Sequence, residues 1–215
     1  MSSAEPSIGH MTAGPNAVGP AGRTSAQARH VLWSTWEPGG FEHLCLWTDG
    51  ELLVADGVLA RAGAEGAYRL RYRIRCDSTF RTRDVSLALR DHAEHHLELY
   101  GDGEGHWSTP AGRARREVSG CLDIELAGSP FTPTLTLRRL GLHAGQSAEV
   151  AVATIALPAL TLHPQRVRYT CDREGAAGGV YRREGASAEG VRVLRCDADG
   201  TTLDVAGLFR RIWPR

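Results

Sequence analysis

The sequence contains no lysine: each of its 25 basic residues is an arginine. Arginine codons displace lysine codons in a GC-rich genome, and that is the simplest source of the bias. Net charge is missing as well, because 25 acidic residues balance the arginines. A chain without an overall field does not gather nucleic acid, so no nucleic-acid partner is expected. No stretch approaches the length needed to span a membrane, and the N-terminus lacks the apolar core of a secretory signal. A cytoplasmic protein without a transmembrane segment is the expectation. Cys45, Cys76, Cys121, Cys171 and Cys196 are odd in number and far apart, and none forms a CxxC pair. That excludes a zinc ribbon or a redox dithiol and leaves free, mostly packed thiols. Extended helical periodicity is absent too, which argues against an all-helical fold.

What is present is a succession of short alternating segments punctuated by 25 glycines and 10 prolines. Residues 1–30 are rich in Ser, Ala, Gly and Pro and hold hardly any large apolar side chain, so a disordered tail is expected there. From residue 31 to 215 the pattern is that of a single β domain. The cleanest alternation is AYRLRYRIRCD: Leu70, Tyr72, Ile74 and Cys76 share one face, and Arg69, Arg71, Arg73 and Arg75 the other. Asp49-Gly50 and Asp199-Gly200, each between apolar runs, mark hairpins. RIRCD near residue 75 and VLRCD near residue 195 look alike, a weak sign of internal duplication. The last segment, AGLFRRIWPR, is compatible with one helical turn before Pro214. A dozen or more short strands imply an all-β fold: a large, curled antiparallel sheet forming an open, barrel-like half-shell with very little helix. The concave side of such a sheet is where a small molecule is expected.

The most distinctive stretch is EVSGCLDIELAGSPFTPTLTLRRL, from Glu117 to Leu140. Its first part alternates, with Asp123 and Glu125 on one side and Ile124 and Leu126 on the other, as in a half-buried strand. Pro130 and Pro133 then make a corner that holds Ser129 and Thr132 extended and uses Phe131 as a plug. A second strand is expected from Thr134 through Arg138 and Arg139 to Leu140. The string GCLDIEL, SPFTPTL, LRRL resembles the signature of a bacterial family known as "Putative glycolipid-binding", a domain of unknown function. Upstream, the resemblance takes in Trp33, Glu42-His43-Leu44, Tyr72 to Arg83 and GDGEGHW. Downstream it takes in Pro158 to Tyr169 and GLFRR, so that it spans about residues 31 to 213. The family's corner reads TPFTN and continues into a proline; here Pro133 and Thr136 stand at those positions. The resemblance implies a protein that encloses the apolar part of a glycolipid, or of another amphipathic small molecule, and meets its polar head at the rim.

The residues themselves suggest Trp33, Glu42, Arg73, Arg83, Trp107, Asp123, Phe131, Arg138 and Arg139 as ligand-binding candidates. Indoles offer apolar faces that stack on sugar rings. Arginines spaced every second residue can fork a head group, although pairing with acidic neighbours across the sheet is the commoner role for such a row. One of Arg138 and Arg139 should point inward and brace Asp123 or Glu125. No catalytic residue, cofactor or metal ligand is assigned. No nucleophile elbow, phosphate loop or dinucleotide fingerprint is present, and DHAEHH at 91–96 is one residue short of the inverted zinc motif. Two alternatives stay open. One is a hydrolase of a sugar or lipid ester that uses two carboxylates, or Cys121 and a histidine. The other is a β scaffold that binds a protein, or a second copy of itself as a homodimer, through a sheet edge.

Overall fold

The computed structural model describes residues 28–63, 66–89, 95–185 and 190–214. The expected tail falls almost wholly outside these residues, as does most of the DHAEHH turn. A first run of strands comprises β1 (Arg29–Thr35), β2 (Gly40–Asp49), β3 (Leu52–Gly63), β4 (Gly66–Cys76), β5 (Thr82–Leu89), β6 (His96–Gly101) and β7 (Trp107–Ser108). Then come β8 (Asp123–Leu126) and a single helix, α1 (Thr132–Leu140). The chain finishes with β9 (Ser147–Ala156), β10 (Thr161–Gly175), β11 (Gly178–Gly185), β12 (Val191–Cys196), β13 (Thr202–Val205) and β14 (Phe209–Trp213).

Among the described residues all fourteen strands form one sheet, in the order β7-β6-β5-β4-β3-β2-β1-β14-β13-β12-β11-β10-β9-β8. Two meanders are thus joined where β1 pairs with β14. The sheet is curled and open, with edges only two and four residues long, which leaves little unpaired backbone for another chain to join. Every pairing is antiparallel except β8 with β9. None of the described helices is long and apolar enough to cross a membrane.

Alternation explains the sheet. Along β4 the even positions Leu70, Tyr72, Ile74 and Cys76 are buried and the arginines face out, as the pattern requires. The two Cys-Asp repeats close similar turns. Asp77 N–H donates to the Arg81 carbonyl and Asp197 N–H to the Thr201 carbonyl, with positive φ at Phe80 (62°) and Gly200 (72°). The final segment is strand β14 rather than a helical turn, because it finds partners on both sides.

The signature stretch departs from its expected form. Only Asp123–Leu126 is a strand, preceded by a short 3-10 turn at Arg116–Val118, and all four strand residues are buried. A strand parallel to its neighbour and covered on both sides has no solvent face, so its two carboxylates go inward with its apolar residues. The second strand expected after the corner is helix α1. Pro133 sits in the first turn, where its missing N–H is not needed, and Gly141 caps the C-terminus at φ 55° with its N–H on the Leu137 carbonyl. Thr132 is therefore helical rather than extended.

Helix α1 occupies the concave side of the sheet. Thr132 to Leu137 are all buried; Leu135 joins the larger core with Trp33, Leu44 and Leu59, and Leu137 joins the smaller one with Val167 and Tyr169. The hollow expected to enclose an apolar ligand is thus packed with the protein's own side chains.

Candidate functional site

Two buried carboxylates lie in opposite halves of the sheet, and the first of them, Glu42, holds the start of the helix through Ser129. Glu42, on β2, accepts from the Tyr72 hydroxyl at 2.7 Å and from the Ser129 hydroxyl at 2.9 Å, both at Oε1. Tyr72 reaches it by crossing Gly57 on β3, where any Cβ would lie 2.1 Å from the tyrosine ring. Ser129 Oγ also accepts the backbone N–H of Phe131 and Thr132, and Phe131 stacks on Tyr72 at 6.5 Å. Phe131 is thus the plug expected of it, seated on the Glu42–Tyr72 pair. Glu42 Oε2 has no hydrogen-bond partner among the described residues, and burial pushes this carboxyl up to about 7 against the opposing effects of Tyr72, Arg61 and Ser129. On the other half Glu125 accepts from Tyr169 at 2.5 Å and from Arg183 Nη2 at 2.5 Å. Burial works against the Arg183 charge, but Glu125 outweighs it and holds its pKa above the ordinary value.

Asp123 takes a two-pronged bond from Arg139 at 2.8 and 2.6 Å, which raises the Arg139 pKa. This is the inward brace foreseen from the sequence, supplied by a helix. Asp123 and Glu125 are each sealed in an ion pair, so neither reaches a cleft where it would meet substrate. Trp33 and Trp107 are core residues: they are 0% and 4% exposed, and their indole N–H groups bond the Thr202 and Cys121 carbonyls. Arg83 bridges Asp77 and the Asp102 carbonyl. Arg138 lies over the Phe80 ring at 4.8 Å and packs against Gly200, linking the two repeated turns. Among the described residues no group of three or more metal-ligating side chains is found. Buried Cys76 and Cys196 are pushed up to about 12, and burial also raises Cys121. Cys45 is 3.8 Å from His30, yet burial and Asp56 raise its thiol, the reverse of what activates a nucleophile.

Of the nine candidates, Arg73 stands apart on the outer face, inside a hollow of about 500 Å3. The register builds this hollow in rows. Trp47, Val54, Arg75, Asp84 and Tyr100 lie directly opposite one another on β2 to β6. One row along stand Cys45, Asp56, Arg73, Ser86 and Glu98. Arg71 and Arg73 both donate to Asp56 Oδ2, at 3.1 and 2.6 Å, and Arg75 donates to Asp84 Oδ2 at 2.5 Å. Arg71, Arg73 and Arg75 are therefore paired with acidic neighbours across the sheet. Trp47 is half-buried at one end and Tyr100 is 47% exposed at the other. The result is a trough of alternating guanidinium and carboxylate groups between two aromatic rings.

A second, apolar hollow of about 610 Å3 lies at the other end of β2–β4, lined also by Arg61 and Tyr68 of the inward row. Phe41, Ala60 and Arg69 form a cross-strand row there, with Ala62 and Ala67 beyond. Tyr100, Glu98 and Phe41 escaped sequence reasoning because their relation to the arginine row depends on register across several strands. A polar alternation at Asp84, Ser86 and Glu98, Tyr100 was the only available signal.

Comparison with known proteins agrees with this architecture. A family model described as "Putative glycolipid-binding" matches residues 30–211. A crystal structure of a DUF1089 family protein from Pseudomonas aeruginosa is 34% identical, with a TM-score of 0.71, covering 82% of this chain and 94% of that one. No match was found among curated proteins.

Proposed function

Because the chain belongs to the family described as "Putative glycolipid-binding", we propose that it binds a glycolipid lengthwise along the outer face of β2–β4. The sugar head lies over the arginine trough, and the apolar chain runs toward the hollow at Phe41. The observation that carries this reading is the succession of a polar and an apolar hollow along β2–β4. Phe41 and Trp47 are six residues apart on one strand, a span of about 20 Å, which suits an amphiphile rather than a free sugar. Trp47 and Tyr100 offer faces for sugar rings, and the guanidinium and carboxylate groups offer donors and acceptors for hydroxyls. Charge favours a neutral sugar. Arg71, Arg73 and Arg75 are answered by Asp49, Asp56, Asp84 and Glu98 on the same side of β2–β6, so no surplus cation waits for a phosphate.

Calorimetric titration with a short-chain alkyl glucoside below its micellar concentration tests the proposal. Trp47→Ala and Tyr100→Ala are expected to weaken binding about tenfold each, which corresponds to about 1.4 kcal/mol. Phe41→Ser should weaken the alkyl glucoside while leaving the much weaker binding of free glucose unchanged. If both aromatic variants bind the alkyl glucoside as the wild type does, the trough is not the site.

A further inference from the structure

Six large apolar side chains are well exposed among the described residues, and three of them, Trp36, Phe41 and Leu208, gather at one rim of the sheet. They are brought together by the turn 36–39 after β1, the start of β2 and the turn 206–208 before β14. Trp36 N–H donates to the Leu208 carbonyl at 3.0 Å, and Ser34 stands opposite Phe41. The outer-face row here reads Arg69, Ala60, Phe41, Ser34, Arg210. Two arginines therefore flank the phenylalanine, and the Arg210 guanidinium lies 5.1 Å over the Trp36 ring.

The rim is held in shape from below. Arg61 points inward and donates to the carbonyls of Phe41, Ala60 and Gly128, and its guanidinium rests on Phe209 at 4.9 Å. The exposed rings thus stand on a braced platform. No strand edge is available at this point, since β1, β2 and β14 each have partners on both sides, so addition of a foreign strand is not what the rim offers.

We propose that this rim docks on an anionic lipid bilayer. Trp36, Phe41 and Leu208 would enter the headgroup boundary, while Arg69 and Arg210 meet lipid phosphates. The composition decides between partners. Amphipathic indole, an aromatic ring and an aliphatic side chain flanked by arginines match an interfacial anchor. The charges in the patch are Arg69 and Arg210 against Glu37 in the adjoining turn. Asp204, beside Arg210, is already paired with Arg195 at 3.2 Å. The surplus is therefore positive and complements an anionic leaflet. The inference does not rest on the glycolipid reading, because vesicles lacking any glycolipid test it.

The experiment is co-sedimentation of the full chain with vesicles of phosphatidylcholine alone and of phosphatidylcholine mixed with phosphatidylglycerol. The wild type is expected to pellet with the mixed vesicles, with its tryptophan emission quenched by brominated lipid. Trp36→Ser combined with Leu208→Ser should lower partitioning about tenfold or more. Arg69→Glu combined with Arg210→Glu should abolish the preference for anionic vesicles, as should high salt. These side chains are largely exposed, so unchanged thermal unfolding will show that the variants fold. A wild type that stays in the supernatant with both vesicle types overturns the proposal, as does a Trp36→Ser/Leu208→Ser variant that pellets like the wild type.

Discussion

Unfolding of the Glu42→Gln variant should lack a pH dependence that the wild type shows between pH 4.5 and about 7. In the folded protein burial raises the Glu42 carboxyl to about 7, whereas in the unfolded chain it titrates near 4.5. Between those values the folded state keeps a proton that the unfolded state has released, so stability falls as pH rises. The contribution is fully present below 4.5 and is lost as pH rises through the folded value. A shift of this size corresponds to roughly 3 kcal/mol, a large part of the stability of an ordinary domain. Glutamine keeps an acceptor for Tyr72 and Ser129 and stays neutral throughout. Urea unfolding of both proteins at a series of pH values gives the difference directly. The variant should match the wild type in acid, gain on it from about pH 4.5 and hold a constant lead above about pH 7. Parallel curves across the whole range would show that Glu42 is not held protonated.

The second large effect lies in the other half. Arg183→Met should destabilise the protein by about 3–5 kcal/mol, because it leaves Glu125 buried without its guanidinium. Side-chain exposures of 4% and 6% leave almost no water to compensate. Removing the Glu125 charge in the same chain, as Arg183→Met/Glu125→Gln, should recover much of the loss, since the cost comes from the stranded carboxylate rather than from the missing attraction. Arg168→Met provides the comparison. Its partner Glu149 is exposed and 3.4 Å away, and such a surface pair contributes about 0–1 kcal/mol. Equal shifts of the urea midpoint for Arg183→Met and Arg168→Met would refute the buried-pair account.

Both predictions concern residues whose importance was only partly legible. Glu42 stood out through the family resemblance, but nothing local to EHL reveals that a tyrosine thirty residues on will cross a glycine to reach it. Glu125 was expected on the polar side of a half-buried strand. The alternation around it was real; its reading failed because the solvent side of β8 is covered by tertiary structure. The expected second strand failed for a related reason. In TPTLTL, threonines and leucines alternate as they do in a strand, and period two outweighed the helix signals. Those signals were present: a proline at the right place for a first turn, and Gly141 just past the end. By contrast β4 was read correctly down to which residues face inward, because one of its faces is core and the other is solvent.

The sequence by itself determined that this chain is a β protein, where its best hairpins turn, that its arginines form an outward ladder on β4, and which family it resembles. Those properties reside in neighbours along the chain: alternation, turn residues and a contiguous signature. The tertiary structure decided the rest. It placed α1 in the concavity expected to hold a ligand, and it buried Trp33, Trp107 and Asp123. It also aligned Trp47 with Tyr100 across five strands and gathered Trp36, Phe41 and Leu208 at one rim. Each of these outcomes depends on register and burial between segments far apart in the chain, and periodicity within a segment carries no information about its partner.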